Sequence, residues 1–459
     1  MTLPSTLRLD KLTLHNFRCF ADCVVDLHPE LTVLVADNAQ GKTAILDAIG
    51  IAFGLFVQSL TKSGPSHGFA HEDIRQIRKD SEHMVQVLPT EFRAEGVVIG
   101  QSLKWQRSLS SGSARARSST QKATNLQNAA VKLLTSLNAF AAGVATENPV
   151  LPLIAFYGTG RLWSTHRLTE GRRTTERRGI VRLAGYTDCL SSSSSFKSFV
   201  LWYRTMVSLL RGSAARTLGP DERPQAQLAA VREAARTVLE PTKWRDIDWD
   251  DNRRTLVVEH PEHGRLPLSQ LSDGVRNMIA LVADIAHRCV RLNPQFGEEA
   301  ARRTPGILLI DEVDMHLHPR WQQLVMDLLR RAFPAMQMVV TTHSPHVLST
   351  VDKSCIRVVR LQDSRGVLET PSFQTRGVES ADVLATIMGV DPMPQVEEAS
   401  WLSSYRGMIE DGLAEQSDAL ALRAKLVNHF GEKHPLVLDC DRLLRFQALR
   451  RNRVAKAEG

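Results

Sequence analysis

The stretch that decides the fold is PGILLIDEVDMHLHPRWQQLVMDLLRRAFPAMQMVVTTHSPHVLS, residues 305–349. Its apolar run at 307–310 is followed at once by Asp311 and Glu312, which predicts a strand buried on both faces with two acids at its carboxyl end. Ligands of open α/β sheets bind at that edge of the sheet. We therefore expect Asp311 to bind a magnesium ion and Glu312 to orient or deprotonate an attacking water.

A second apolar strand lies further along the same stretch. Residues 320–331 have apolar side chains at helical spacing, and the apolar run at 336–340 then ends in the polar sequence TTHS at 341–344. The pattern predicts a strand, a helix and a second strand, with polar side chains at both strand ends. The predicted fold class is therefore α/β.

A phosphate-binding loop is predicted near the start of the chain. The apolar run at 31–35 is followed by ADNAQGKT at 36–43 and then by an apolar helix face. In a loop between strand and helix, backbone N–H groups would hold a polyphosphate, Lys42 would reach the terminal phosphates and the Thr43 hydroxyl would ligate magnesium. The residues expected to contact the nucleotide are Asn38, Ala39, Gln40, Gly41, Lys42 and Thr43.

Ala36 departs from the pattern of such loops, G-x-x-x-x-G-K-[ST], which has glycine at its first position. If that position requires a positive φ, the Cβ of alanine costs about 1–2 kcal/mol. This cost would weaken the site without abolishing it. A nucleotide-bound scaffold with little turnover is therefore one hypothesis for this chain.

A third motif, LSDGVR at 271–276, opens an apolar helix over 278–286, and Ser272 is placed to cap that helix. With the phosphate-binding loop, the acidic strand and the Thr-His-Ser run, it completes four motifs in a fixed order. In that order the chain resembles the ABC-type ATPases of the SMC, RecF and OLD group, over roughly residues 7–360. It is most similar to the PtuA-type ATPases of Septu and retron anti-phage systems, through YGTGRLW at 157–163, DMHLHP at 314–319 and RGVES at 376–380.

The resemblance implies a P-loop NTPase with an ABC-ATPase-like head, in which a mixed β-layer and a parallel sheet are flanked by helices. It implies ATP and Mg²⁺ as cofactors, with Ser272 and Gly274 binding the ATP of a partner subunit in a head-to-tail dimer. His343 would be a switch histidine that contacts the γ-phosphate. Arg18, in a hairpin predicted over residues 7–30, would lie close to the nucleotide phosphates; the alternative for Arg18 is a surface charge.

Two other groups of polar residues have more than one interpretation. Gln76 is either the residue of a glutamine loop that senses the γ-phosphate, as in ABC ATPases, or part of a solvent-exposed connection. Asp314, His316 and His318 could bind a metal ion, since His-x-His beside a carboxylate can do so. The resemblance instead makes their segment the turn that contacts the opposite subunit.

The chain divides into four predicted regions. Residues 1–107 form an N-terminal ATPase lobe with the phosphate-binding loop, 108–240 a linker with a helical, arginine-rich insertion, 241–372 a second ATPase lobe, and 373–459 a small helical C-terminal region. The insertion would contact the phosphates of nucleic acid, supply an arginine that reaches the nucleotide across a subunit interface, or form a solvated loop. Its arginines are Arg161, Arg167, Arg172, Arg173, Arg177, Arg178 and Arg182.

Composition sets the remaining bounds. The 459 residues carry a formal net charge of +7 and are 43% hydrophobic, which predicts a large packed core and an affinity for polyanions. A signal-peptide pattern is absent, as is an apolar stretch of about 18 residues, so we expect a cytoplasmic protein with no membrane partner. The six scattered cysteines are expected to be free thiols.

The four motifs and the resemblance that they carry favour an ATPase that dimerises around ATP and gates a partner protein. Similarity to PtuA implies an effector nuclease of the HNH type as that partner, in anti-phage defence. An alternative is a DNA-maintenance ATPase like RecF. Intrinsic nuclease activity is not expected, because Asp439 and Asp441, the one acidic pair of interest in the C-terminal region, are interpreted as helix-start acids.

Overall fold

The computed structural model shows a chain that folds into two compact units, Met1–Val383 and Leu384–Gly459. Each unit has buried hydrophobic residues of its own. The residues that the structure describes are 6–61, 68–80, 83–110, 123–160, 182–191, 196–211 and 224–457.

The boundary between the units lies beyond residue 373, where the predicted C-terminal region begins. The segment before Val383 is bonded to the first unit, since Thr375 Oγ1 donates a hydrogen bond to the Val351 carbonyl at 2.7 Å. The first three predicted regions lie together in this first unit.

The first unit is built around one mixed β-sheet. The strands described in this unit are β1 Leu7–Phe17, β2 Phe20–Asp26, β3 Leu31–Val35, β4 Gln76–Arg78, β5 Met84–Gln86, β6 Thr90–Val98, β7 Gln101–Leu109, β8 Leu153–Tyr157, β9 Arg245–Asp250, β10 Thr255–His260, β11 Gly264–Pro267, β12 Gly306–Ile310, β13 Met336–Thr342, β14 Ile356–Gln362 and β15 Arg365–Glu369. Ten of them form the main sheet in the order β7-β6-β1-β2-β15-β14-β3-β13-β12-β8. Strands β14, β3, β13, β12 and β8 run parallel, whereas β1, β2, β6 and β7 pair antiparallel. The predicted α/β fold with a mixed β-layer and a parallel sheet is confirmed, and β15 joins the two by pairing with β2.

Helices pack against the sheet and against one another. Those of the first unit are α1 Lys42–Thr61, α2 Thr124–Ala141, α3 Phe196–Arg211, α4 Pro224–Leu239, α5 Asp273–Leu292, α6 Ala300–Arg303, α7 Pro319–Gln322, α8 Val325–Ala332 and α9 Pro345–Leu348, and α10 Ser380–Met388 leads into the second unit.

The ends of three parallel strands meet at one edge of the sheet. Strand β12 pairs with β13, with Ile310 opposite Val340, and β13 pairs with β3, with Thr342 opposite Val35. Every residue of β3 and β12 is buried, as expected for parallel strands covered on both faces. The segments that follow Val35, Ile310 and Thr342 therefore emerge side by side.

Helix α1 anchors the segment after β3. Among the described residues it is the one helix that is long and apolar enough to cross a membrane, yet 72% of its most apolar window is buried inside the protein. Its Ile45, Leu46, Ile49 and Phe53 side chains are fully buried, and each such burial contributes about 1.5–3 kcal/mol. The helix therefore serves as a core element that fixes the loop in front of it.

The predicted single helix over 320–331 is wrong, because the chain forms α7 and α8 there instead. Gln322, at the end of α7, donates from Nε2 to the Leu317 carbonyl at 2.9 Å and accepts a bond from Ser344 Oγ at 2.7 Å. These bonds hold α7 to the loops at the strand ends. Apolar periodicity cannot report such long-range bonds, so the pattern predicted one continuous helix.

The hairpin predicted over 7–30 is confirmed and forms as β1 and β2, which pair antiparallel. Strands β9, β10 and β11 form a separate three-stranded sheet in the order β11-β10-β9. All six cysteines are free thiols, as predicted.

The second unit is helical, as the sequence predicts. Asp439 and Asp441 lie in the second turn of its last helix, so their interpretation as helix-start acids is wrong. They form ion pairs instead, Asp439 with Arg442 at 2.9 Å and Asp441 with Arg423 at 3.1 Å. The helices are α11 Glu397–Glu410, α12 Ser417–Phe430 and α13 Pro435–Ala457, and their core contains Leu402, Tyr405, Ile409, Ala419, Leu426 and Cys440.

Candidate nucleotide-binding site

Side chains from three strand ends contact one another directly at the edge of the sheet. Thr43 Oγ1 donates to Asp311 Oδ2 at 2.9 Å, and Thr341 Oγ1 donates to Asp311 Oδ1 at 2.5 Å. The Glu312 N–H donates to the same Thr341 hydroxyl at 2.7 Å. Thr341 therefore fixes both acids, a role that sequence reasoning missed although Thr341 stands in the polar run after its strand.

Lys42 is folded over its own loop. Its Nζ donates to the Ala36 carbonyl at 2.8 Å and to the Asp37 carbonyl at 3.0 Å. Burial lowers the pKa of Lys42, while Asp311 and other nearby acids act in the opposite direction. Its amine therefore lies among carbonyl and carboxylate oxygens at the front of α1, where a terminal phosphate could replace the carbonyls as its partner.

The positive φ angles of the loop fall at Ala39 (64°) and Gly41 (87°), and Ala36 is not among the residues with positive φ. The conditional cost of alanine at position 36 is therefore absent, and so is the reason for the scaffold hypothesis. Glycine is required at position 41, because a Cβ there would lie 2.4 Å from Phe20 Cζ. The turn between β1 and β2 thus packs directly against the loop.

The rest of the loop divides between solvent and protein. Asn38, Ala39 and Thr43 are exposed. The Gln40 side chain is engaged elsewhere, since its Oε1 accepts a bond from the Leu361 N–H of β14 at 2.7 Å. Nucleotide contact by Gln40 is therefore left to its backbone, while its side chain ties the loop to the neighbouring strand.

Ala39→Gly is expected to stabilise the protein by about 0.5–1 kcal/mol. A left-handed backbone costs a non-glycine residue about 1–2 kcal/mol, and the larger unfolded-state entropy of glycine offsets about 0.4–1 kcal/mol of the gain. Denaturant unfolding would measure the change. Ala129→Gly, inside helix α2, is the control and should destabilise the protein by up to about 1 kcal/mol. A similar loss of stability in both variants would contradict the prediction.

Arg18 lies beside α1 and is held by two carboxylates. Its guanidinium pairs with Asp73 at 2.8 Å and with Asp47 of α1. Because Asp47 follows Thr43 by about one helical turn, these pairs place Arg18 next to the phosphate-binding loop with its charge already balanced. Contact between Arg18 and the nucleotide phosphates, which the resemblance implies, stays a prediction.

The LSDGVR segment forms the start of α5. Ser272 stands exposed at the N-cap position, as predicted, but its side chain caps no N–H of the helix. Gly274 faces the loop after β12, where a Cβ would lie 2.6 Å from the His316 carbonyl. Gly274 therefore allows a close approach to the acidic loop of its own chain, a role that the sequence did not predict. Binding of a neighbouring subunit's ATP by Ser272 and Gly274 stays a prediction.

His343 follows β13 and is partly exposed. Its neighbours are fixed: Thr342 Oγ1 donates to Asp314 Oδ1 at 2.5 Å, and the Ser344 N–H donates to Thr342 Oγ1 at 3.0 Å. The His343 ring makes no hydrogen bond to any residue in the described part of the chain. The ring thus stands at the site edge without a structural bond, and its role as a γ-phosphate switch stays a prediction.

Asp314, His316 and His318 do not converge on a common point. Asp314 accepts the bond from Thr342 described above, and His318 Nδ1 accepts a bond from the Arg320 N–H at 3.3 Å. Within the ranges that the structure describes, no group of three or more His, Cys, Asp or Glu side chains could hold a metal ion. The metal hypothesis for these three residues is wrong.

Arg182 belongs to the core, although its place in the sequence predicts that it is part of the basic insertion. It is buried and donates to the Leu292 carbonyl at 2.7 Å and to Asn148 Oδ1 at 2.6 Å. Burial lowers the pKa of Arg182 to about 10. Arg182 therefore cannot contact nucleic acid, and that part of the prediction is wrong. The other arginines of the insertion, at 161–178, lie outside the described residues.

Gln76 is exposed on β4, where it stands opposite Gln86 of β5. The segment just before this hairpin is bonded to the end of β1, next to Arg18, since the Arg75 N–H donates to the Asn16 carbonyl at 3.2 Å. A γ-phosphate-sensing role for Gln76 stays a prediction.

The donor set at this edge suits a magnesium nucleotide. The Thr43 hydroxyl and the Asp311 carboxylate are hard oxygen donors 2.9 Å apart, which is about the separation of adjacent octahedral ligands of Mg²⁺ at 2.0–2.1 Å from the metal. Backbone N–H groups at the start of α1 and the charge of Lys42 provide for the phosphates. The residues present therefore fit both ATP and Mg²⁺.

Several known proteins are similar to this chain. Residues 11–201 match a family model described as an AAA domain, and residues 190–349 match one described as an AAA domain, putative AbiEii toxin, Type IV TA system. The chain is 25% identical to the Retron Ec83 probable ATPase of Escherichia coli, over 93% of this chain and 84% of that protein. It is 34% identical to the Septu protein PtuA of Bacillus mycoides (strain KBAB4), over 28% of this chain and 18% of that protein. Among solved structures, the SMC head domain from Thermotoga maritima is 13% identical with a TM-score of 0.43, over 80% of this chain and 100% of that chain.

Proposed function

This chain carries an ABC/SMC-like AAA ATPase domain, and from that premise we propose that it binds and hydrolyses ATP, dimerises around the nucleotide and gates a partner effector. Two relatives support the proposal by name, one as a probable retron ATPase and the other as a Septu protein. The proposed reaction is hydrolysis of ATP to ADP and phosphate.

The observation that carries this proposal is the bond between Thr43 and Asp311. The two residues stand 268 positions apart in the sequence, and their side-chain oxygens lie 2.9 Å apart. One belongs to the phosphate-binding loop and the other to the acidic strand end. Such a junction of a loop that can hold phosphates with an acid that can hold the accompanying cation is what nucleotide hydrolysis requires.

Each residue of the site has a distinct task in the proposed reaction. Lys42 binds the terminal phosphates, and Thr43 and Asp311 would hold Mg²⁺, which when bound neutralises charge on the phosphate oxygens. Glu312 orients the attacking water and accepts its proton as the water oxygen bonds to the γ-phosphorus and the bond to the β-phosphate oxygen breaks. His343 stands at the same edge and would contact the γ-phosphate.

A second subunit would complete the site. Ser272 is exposed at the start of a helix of 20 residues, whose N-terminal N–H groups and dipole favour an anion. In a head-to-tail dimer this helix start faces the γ-phosphate held by the neighbour, and two equivalent composite sites result. Binding of ATP then stabilises the closed dimer, and hydrolysis releases it.

The opening and closing of the dimer would control a partner protein. The ATP-bound and hydrolysed states differ in free energy, and a partner that binds one state better is switched by the cycle. The names of the retron and Septu relatives support a place in anti-phage defence. In that setting the partner would be an effector nuclease of the HNH type, held or positioned by this ATPase.

Thr43→Ala is expected to lower kcat/KM for MgATP by about 10- to 100-fold, since a bond to a charged group contributes about 1.5–3 kcal/mol. Thr43→Ser keeps the hydroxyl and is the matched control, with a value close to that of the wild type. Phosphate release at varied ATP and Mg²⁺ concentrations measures both variants. Equal rates for the alanine and serine variants would show that the Thr43 hydroxyl takes no part in hydrolysis. A wild type without Mg²⁺-dependent hydrolysis would refute the proposed function.

A further inference from the structure

Three buried polar side chains form a network below the candidate site. The Tyr157 hydroxyl donates to Asp284 Oδ2 at 2.8 Å, and Arg288 Nε donates to the same oxygen at 2.8 Å. All three residues are at most 5% exposed. Removing two charges from water costs several kcal/mol per ion, and apolar residues of similar volume often serve stability equally well. Stability alone therefore does not explain this trio.

Tyr157 connects the network to Asp311, the acid proposed to hold Mg²⁺. It is the last residue of β8 and stands opposite Ile310 in the parallel pairing with β12. Its carbonyl accepts a bond from the Asp311 N–H at 2.8 Å. A single residue thus holds Asp284 through its hydroxyl and the backbone of Asp311 through its carbonyl.

Asp284 connects the network to the helix that begins at Ser272. The two residues lie on α5 and its N-cap, separated by 12 positions or about 18 Å of rigid helix. A shift or rotation of α5 at Asp284 is therefore transmitted to Ser272. The bond between Tyr157 and Asp284 sets the position of the helix start relative to the strand end that carries Asp311.

Arg288 fixes the ionic state and the position of Asp284. Burial on its own would raise the pKa of Asp284, but Arg288 and His287 outweigh it and hold that pKa well below its usual value. Asp284 therefore accepts and the Tyr157 hydroxyl donates. Arg288 Nη1 also donates to the Gly185 carbonyl at 3.0 Å and the Thr187 carbonyl at 2.8 Å, so the ion pair is bonded to a second segment of backbone.

We propose that Tyr157, Asp284 and Arg288 are positioning residues for ATP hydrolysis. They hold helix α5, which begins after Ser272, in a fixed position relative to Asp311 at the end of β12. Ser272 would face a neighbour's nucleotide and Asp311 would serve the chain's own nucleotide, so the two sites keep a constant relative geometry. The inference rests on the proposed ATPase function. It adds the residues that keep the start of α5 and the end of β12 in a fixed relative position. All three are buried, so their proposed role is exerted through the elements that they join.

Tyr157→Phe tests the inference because it removes one hydroxyl and opens no cavity. We expect kcat for ATP hydrolysis to fall by about tenfold, since small displacements of catalytic groups have large effects on rate. The KM for ATP should stay unchanged, because the phosphate-binding loop keeps all its contacts. Steady-state kinetics with MgATP, together with thermal unfolding of each variant, gives the measurement.

Tyr203→Phe is the matched control. Tyr203 is also fully buried. Its hydroxyl donates to the Ile247 carbonyl at 2.6 Å and accepts a bond from Arg232 Nε at 3.0 Å. Both variants lose a buried hydroxyl beside an arginine, so similar losses of thermal stability are expected, and only Tyr157→Phe should lose kcat. Equal kcat values in the two variants would overturn the positioning role while leaving the ATPase function intact. An inactive wild type would overturn both.

Discussion

Glu312→Gln is expected to slow ATP hydrolysis by about 10²- to 10⁴-fold, which is the usual contribution of a positioned general base. Glutamine has nearly the same shape as glutamate but cannot accept the proton of the attacking water. ATP binding should be retained, because Lys42 and Thr43 are unchanged. Phosphate release and equilibrium binding of ATP measure the two effects separately.

The backbone around Glu312 supports this assignment. Glu312 has a φ of 46°, a left-handed conformation that costs a side chain such as glutamate energy. Its N–H is fixed to the Thr341 hydroxyl. Both features restrict the movement of the Glu312 backbone directly after Asp311.

Asp246→Asn is the matched control for Glu312→Gln. Asp246 has the same φ of 46° but lies on β9, where it pairs with Arg236 at 2.6 Å. Neutralising an acid in this backbone conformation should leave the rate of hydrolysis unchanged. Glu312→Gln should also accumulate as an ATP-bound dimer, detectable by light scattering during size-exclusion chromatography. A wild-type rate in Glu312→Gln would show that another group activates the water.

The strands and their polar ends could be predicted from the sequence because the signal is local. Apolar runs such as 307–310 are short and bounded by polar residues, and their carboxyl ends must meet at one edge of a parallel sheet. The same reasoning predicts Lys42, Thr43, Asp311 and Glu312 as site residues. Each motif also lies within a few residues of a strand, so errors at element ends did not move it.

Backbone angles within the phosphate-binding loop could not be predicted by the same reasoning. The sequence pattern draws attention to the missing glycine at Ala36, but the positive φ angles belong to Ala39 and Gly41. The pattern records residue types and not dihedral angles. The packing of Phe20 against the loop excludes a side chain at position 41, and the sequence pattern does not reveal this contact.

Long-range polar contacts were also beyond sequence reasoning. Arg182 follows a run of arginines, which predicts a role shared with them, whereas it is buried against the Leu292 carbonyl. Tyr157 and Asp284 stand 127 positions apart, and neither carries a local motif that announces the other. Partners of this kind are set by the packing of whole elements, which a single sequence does not display.

Mixing Lys42→Ala with Ser272→Glu is expected to restore ATP hydrolysis that neither variant has alone. Lys42→Ala removes the cation that we propose binds the phosphates, and a loss of about 10²-fold or more is expected for such a group. Ser272→Glu places a negative charge where a neighbour's γ-phosphate would stand. An acid at a helix start is favourable for the helix itself, so this variant should fold normally.

The recovery follows from the geometry of a head-to-tail dimer. In a mixed dimer, one site combines both defects, and the other combines an intact Lys42 from one subunit with an intact Ser272 from the other. Random exchange makes half of the dimers mixed, so about a quarter of the wild-type rate is expected if sites act independently. Phosphate release after incubation of equal amounts of the two proteins measures it.

Mixing Lys42→Ala with Glu312→Gln distinguishes composite sites from mere dimer stabilisation. In the proposed site Lys42 and Glu312 would serve the same nucleotide, because the bond between Thr43 and Asp311 joins their two segments within one chain. Every site of this second mixture therefore keeps one defect, and no recovery is expected. If the mixture with Ser272→Glu also stays inactive, Ser272 does not reach a neighbour's nucleotide, and the chain hydrolyses ATP, if at all, with residues of one subunit.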